Sequence, residues 1–259
     1  MRPFFLRDGE RFVATESTRG PWSRDLQHGG PPAALLARAM EHVAGDGMLL
    51  SRLTFDYTRP VPIGPVLASA EVARAGTKVT RLRASLTTVD GTTLVSATAV
   101  ALRTTPILPV ALGADETPPP PPEASTPFEF IFFRESVAYH RAVEARLARG
   151  AWGKGPVAVW VRTLVPLVEG ETTSRLQRAL ILADSASGVA VVIDHARQTF
   201  VNADLTVALH RAPEGEWICL DAATIAEPHG VGLTRARLWD RQGAIGVSLQ
   251  NCLVDVRPA

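Results

Sequence analysis

Cysteine is scarce in this 259-residue chain, which holds only Cys219 and Cys252. They lie in separate apolar, strand-like runs without CxxC spacing. That excludes a disulfide framework or cysteine metal centre and reads both as small buried hydrophobes. The six histidines (28, 42, 140, 195, 210 and 229) show no metal-ligand spacing, and there is no HExxH. No metal and no other cofactor is expected. An excess of one charge is also missing: 27 basic residues face 26 acidic ones, so nothing favours a nucleic-acid partner or a membrane surface. No apolar run approaches the roughly 18 residues of a membrane span, and Met1-Arg2-Pro3-Phe4-Phe5-Leu6-Arg7-Asp8 meets charge too early for a signal peptide. A cytoplasmic location is the expectation. There is no GxxxxGK[ST] and no GxGxxG. The nearest approach to a nucleophile elbow, Gly246-Val247-Ser248-Leu249-Gln250, lacks its last glycine and falls mid-strand.

What the sequence does contain is organised around Gln27-His28-Gly29-Gly30-Pro31-Pro32, which runs into the apolar stretch from Ala33 to Val43. Paired glycines permit a sharp turn with no side chain in the way of a ligand, and prolines are tolerated in a first helical turn. A glycine loop feeding a helix N-terminus gathers unpaired N–H groups and the positive end of a helix dipole. Such a place can bind an anion or polarise a carbonyl, or it can be only a tight turn before a core helix.

The rest of the first half reads as a strand at about 4–14, the helix at 32–44, and period-two runs at 52–59, 65–74, 79–89 and 93–103. Asp90-Gly91 marks a hairpin between the last two. From Thr104 to Thr126 the chain carries Pro106, Pro109 and five consecutive prolines, Pro118 to Pro122. Polyproline resists helix and sheet, which predicts a stiff connector. The second half repeats the order, with a helix at 171–188 and strand-like runs at 200–211, 216–226, 231–240 and 244–256. Eleven positions between 53 and 103 carry the same residue 152 positions later, among them Leu53-Thr54 with Leu205-Thr206 and Arg83-Ala84 with Arg235-Ala236. This predicts an internal duplication: an N-terminal repeat at 1–105, a proline-rich linker at 106–127 and a C-terminal repeat at 128–259.

Asp184 interrupts the apolar helix run Ala179-Leu180-Ile181-Leu182-Ala183. A charge inside a buried helix is costly unless paired, and burial disfavours the charged carboxylate, which suits a general base. The plainer alternative is a helix end meeting solvent. Asn202, on a strand whose apolar set is Val201, Leu205, Val207 and Leu209, raises the same question. So do Gln250 and Asn251, one of which must face inward.

These residues resemble the hotdog fold of acyl-CoA thioesterases. The resemblance rests on the His-Gly-Gly loop opening a wrapped helix, an Ala-Asp inside such a helix, and four antiparallel strands after it. With the duplication, the chain is similar to the double-hotdog subgroup of the acyl-CoA thioesterase II type. The fold implied is α+β, with two tandem repeats each wrapping a sheet around one helix. In single-hotdog relatives the loop and the helix acid share one chain. Here His28-Gly29-Gly30 stands in the first half, with Arg38 where its acid would fall. Asp184 stands in the second half, with Ser174-Arg175-Leu176 where its glycines would fall. The parts for one site remain, at the junction of the repeats.

The resemblance implies acyl-CoA hydrolysis, with Asp184, Asn202 and Gln250 (or Asn251) holding a water. Asparagine stands where that type usually has threonine. The donors near His28, Gly29 and Gly30 would bind the substrate carbonyl. The partner implied is the acyl-CoA substrate, and a homo-oligomer through sheet edges is compatible with it. The alternatives are a hotdog enoyl-thioester hydratase or dehydratase and a non-catalytic acyl-CoA binder.

Overall fold

The computed structural model describes residues 1–107, 117–194 and 197–257. The middle of the proline-rich linker and His195 therefore lie outside the described residues. In chain order the elements are β1 (Phe5–Asp8), β2 (Arg11–Ala14), α1 (Gly30–Ala44), β3 (Met48–Tyr57), β4 (Pro65–Arg74), β5 (Val79–Thr88) and β6 (Thr93–Arg103). There follow β7 (Thr126–Pro127), β8 (Val143–Arg149), β9 (Val157–Thr163), α2 (Arg175–Ala183), α3 (Ala186–Val189), β10 (Gln198–Asn202), β11 (Asp204–Leu209), β12 (Ile218–Ala226), β13 (Val231–Asp240) and β14 (Gly243–Val256). All the strands join one antiparallel sheet in the order β1-β2-β4-β5-β6-β3-β11-β14-β13-β12-β9-β8-β7, with β10 also paired to β14.

That order mirrors itself about the β3–β11 pair. β5 starts at Val79 and ends at Thr88, and β13 starts at Val231 and ends at Asp240, each 152 positions later. β4 and β6 find their counterparts in β12 and β14 on the same offset to within a few residues. Helix α1 lies against β4 and β5; α2 and α3 lie against β9, β12 and β13, and α1 packs on α2. One hydrophobic core runs through both halves, from Leu35, Leu36 and Phe55 to Leu180, Ile181 and Leu205. The halves share that core, so neither buries its apolar face alone.

Several expectations need adjusting. The first strand is a hairpin, β1 and β2, turned at Gly9, whose φ of 61° suits glycine. The second-half helix starts four residues later than expected, at a Ser174 capping box, and breaks after Ala183. The strand at 200–211 is interrupted at Ala203. Strands β8 and β9 precede α2, as β1 and β2 precede α1. The polyproline segment packs on the second half: Pro119 and Pro122 are buried, Trp160 Nε1 donates to the Pro120 carbonyl at 2.6 Å, and Arg146 donates to that of Pro122 at 3.2 Å. Buried positions three apart are what a three-residue-per-turn helix lays on a surface. No helix among the described residues is long and apolar enough to cross a membrane.

Candidate active site

Two helix ends meet at the site. The N-terminus of α1 crosses the C-terminus of α2 so closely that a Cβ at Gly30 would overlap the Ile181 carbonyl oxygen. That approach carries Gly29, the residue capping α1, to the residue capping α2, which is Asp184. A Cβ at Gly29 would sit 2.9 Å from Asp184 Oδ2 and 2.7 Å from the Tyr57 hydroxyl. The two glycines thus serve different approaches, Gly30 one of backbone and Gly29 one of side chains. Of the donors expected at the helix start, Pro31 and Pro32 contribute none. The Gly29 N–H has no protein acceptor among the described residues, and Gly29 lines the adjoining cavity.

Asp184 ends its helix but does not meet solvent, being 4% exposed. Its Oδ1 accepts from Asn202 Nδ2 at 2.8 Å and Gln250 Nε2 at 3.2 Å, and it lies 3.4 Å from the Tyr57 hydroxyl, whose one proton is shared with the Gly29 carbonyl at 3.0 Å. Its Oδ2 lies 3.1 Å from His28 Nδ1. Such saturation makes a buried carboxylate tolerable. His28, Gly29, Gly30, Asp184, Asn202 and Gln250 therefore lie in one cluster.

Gln250 faces inward, fully buried, whereas Asn251 faces out and donates to Asp204 Oδ2. The Gln250 amide is committed on both sides, from Nε2 to the Asp184 carbonyl at 3.1 Å and from the Ser187 N–H to Oε1 at 3.1 Å. Asn202 sits at the β10–β11 break. Its Nδ2 serves Asp184 and the Asp204 carbonyl, and its side-chain oxygen has no protein partner among the described residues.

His28 Nδ1 is shared. It lies 3.1 Å from Asp184 Oδ2 and 3.2 Å from the Gly30 nitrogen. One ring nitrogen cannot donate to the first and accept from the second at once. With Asp184 ionised, Nδ1–H donates to it and the Gly30 N–H is released. The ring stacks on Tyr139 with centroids 3.8 Å apart and planes within 1°, and Tyr139 itself donates to the Ile181 carbonyl and bonds the Ser185 hydroxyl. Burial pushes the His28 pKa down, against the pull of Asp184. Burial first, then Asp184, holds the Tyr57 hydroxyl well above its usual range. Both groups are neutral donors at neutral pH.

Sequence reasoning missed Tyr57, Tyr139 and Ser185. Tyr57 closes β3 and reaches the site because its N–H bonds the Ala203 carbonyl across the β3–β11 junction at 2.9 Å, a pairing no local pattern reveals. Arg38 lies elsewhere, in a two-point ion pair with Glu171 at 2.6 and 2.8 Å. The counterpart of Asp184 on α1 is Glu41, one turn on, whose carboxylate accepts from Ser174, the residue capping α2. Among the described residues no cluster of three or more His, Cys, Asp or Glu could hold a metal ion.

The acyl-CoA thioesterase N-terminal domain profile matches residues 18–103 and the C-terminal domain profile matches residues 114–254. This chain belongs to the acyl-CoA thioesterase family. It is by that membership a thioesterase with a hotdog fold. A proposed thioesterase from Novosphingobium aromaticivorans superposes with a TM-score of 0.76 at 21% identity, over 98% of this chain and 99% of that one. A hot dog fold protein from Alicyclobacillus acidocaldarius gives 0.76 at 18%, over 98% and 96%. An acyl-CoA thioesterase II from Mycobacterium marinum gives 0.69 at 15%, over 97% and 94%. No curated protein matches the sequence significantly.

Proposed function

We propose that this thioesterase is a double hotdog, an N-terminal repeat at 1–105 and a C-terminal repeat at 128–259 joined by the linker at 106–127, with one working site between the repeats. At that site it hydrolyses acyl-CoA thioesters. The observation that carries this reading is the convergence of Asn202, Gln250, His28 and the Tyr57 hydroxyl on the Asp184 carboxylate, beside an unpartnered helix-start N–H.

Asp184 takes a proton from water as the water oxygen attacks the thioester carbon. The Asn202 side-chain oxygen accepts the water's other hydrogen and aims its lone pair. The oxyanion forms on the Gly29 N–H, which lines the cavity. Collapse breaks the carbon–sulfur bond, and the leaving thiolate takes the proton back from Asp184, giving acid and free CoA. Gln250 holds the carboxylate and the α2–α3 turn in place; with its amide fully engaged it is a positioning residue. The test is Asp184→Ala, which should lower acyl-CoA turnover by about two orders of magnitude or more with the fold intact; near-normal turnover sinks the mechanism.

A hydratase would also use a His–Asp pair, and His28 with Asp184 is one. Hydration of crotonyl-CoA, followed by loss of the enoyl absorbance without thiol release, separates the two chemistries. Binding of acyl-CoA with neither reaction would favour the non-catalytic reading.

A further inference from the structure

The cavity beside Asp184 has a volume of about 420 Å³, toward the small end of ligand sites. Aromatic residues make up 6% of the chain, yet Trp22, Tyr57, Phe130, Phe132, Phe133 and Phe200 are six of the 25 residues lining this cavity. Pockets favour aromatics in general, but this one gathers about four times the chain's share.

Three of these rings come from one short segment and form a wall. Phe130 meets Phe132 edge to face at 6.0 Å between centroids and Phe133 at 6.2 Å, with interplanar angles of 86° and 77°. The wall is held from behind. Trp152 stacks on Phe132 at 6.2 Å and 13°, and its Nε1 is anchored on the Gly188 carbonyl at 3.0 Å. The wall shares its cavity with Asp184, and the Phe132 ring edge lies on Gly188, four residues further along the chain. A Cβ at Gly188 would meet Phe132 Cζ at 3.0 Å.

A fixed set of ring faces and edges is complementary to another ring. Aromatic pairs gain energy beyond the area they bury, and a flat acyl group has few rotors to freeze. A flexible alkyl chain gains the area alone and loses its rotamer freedom. We infer that the acyl subsite selects compact aryl-acyl thioesters over straight alkyl thioesters of the same carbon count. This inference rests on the thioesterase reading above and names its substrate class.

The experiment compares phenylacetyl-CoA with octanoyl-CoA, eight acyl carbons each, by thiol release. The expected result is a kcat/KM about ten-fold higher for the aryl thioester. In Phe132→Leu that ratio should fall toward one, and Phe133→Leu, whose ring is not stacked on Trp152, provides a second variant should the first fail to fold. Equal or better turnover of octanoyl-CoA by the wild-type enzyme overturns the inference while leaving hydrolysis standing. If neither thioester is hydrolysed, it is the hydrolytic reading that fails. The inference is then decided by the dissociation constants: tighter phenylacetyl-CoA supports it, and equal or tighter octanoyl-CoA overturns it.

Discussion

Thr54 and Thr206 face each other across the β3–β11 pair, with their hydroxyls 3.2 Å apart. They are also 152 positions apart, the offset at which the chain resembles itself. In an antiparallel pair, a residue facing its own counterpart marks the local two-fold axis. Two copies joined as a pseudo-dimer would have that axis here, and it supports the proposed duplication. The contact is testable by a double-mutant cycle. Thr54→Val and Thr206→Val should each cost about 1 kcal/mol, and the double variant should cost less than their sum, by about 0.5–1 kcal/mol. Additive unfolding free energies would show that the hydroxyls do not interact.

The adjacent glycines should fail in different ways. Gly30→Ala drives a methyl group into the Ile181 carbonyl, and neither helix backbone can yield cheaply. The expected cost is about 1–3 kcal/mol or more, read as a lower denaturant midpoint. Gly29→Ala meets the ends of two side chains, Tyr57 and Asp184, which can turn aside. It should cost less stability than Gly30→Ala and lose about ten- to a hundred-fold in kcat, because the carboxylate and its donors move. Equal stability losses in the two variants would contradict this division.

Much of this site could be read from residue order, and the reason is local. His28-Gly29-Gly30-Pro31-Pro32 declares a helix start, Asp184 stands out against alanine and leucine, and Asp90-Gly91 names its hairpin. What escaped depends on tertiary pairing. Val143-Glu-Ala-Arg-Leu-Ala-Arg149 is rich in helix formers, yet it lies in the sheet because β9 offers it a partner strand. Tyr57 resembles any aromatic residue at a strand end until the Ala203 carbonyl pairs with its N–H and sets it beside Asp184 at the end of α2. The break of the second helix was half legible, since Ser185-Ala186-Ser187-Gly188 holds weak helix formers. That Gln250 ties down the ensuing turn was not.

Buried His28 ties stability to acid. Its folded-state pKa lies below its ordinary value of 6.5, so the unfolded chain binds the proton first as pH falls. The stability this residue contributes is full above about pH 6.5 and is lost progressively below it, down through the folded pKa. Urea midpoints measured from pH 7.5 to 5 should fall for the wild type. The slope should be shallower in His28→Gln, which keeps a donor for Asp184 but does not titrate. Parallel curves would assign the acid sensitivity to other groups.

The acid facing the other helix start should be silent in catalysis. Glu41 stands toward Ser174 as Asp184 stands toward Gly29, but here side chains close the space. Ser174 donates to Glu41 Oε1 at 2.8 Å and Gln177 Nε2 to its Oε2 at 2.6 Å, while the Gln177 N–H is spent on the Ser174 hydroxyl. The Ser174 N–H, which holds the place of the Gly29 N–H, is itself taken by Gln177 Oε1 at 3.1 Å. Glu41→Gln should therefore leave thioester turnover at the wild-type level, and added to Asp184→Asn it should remove nothing further. Removing its acceptors with Glu41→Leu should cost about 1–3 kcal/mol of stability through the donors left unpaired. Asp184→Asn that kept about half of the wild-type turnover, the rest being lost only when Glu41→Gln was added, would mean two working sites per chain and would rule out a single site at the junction.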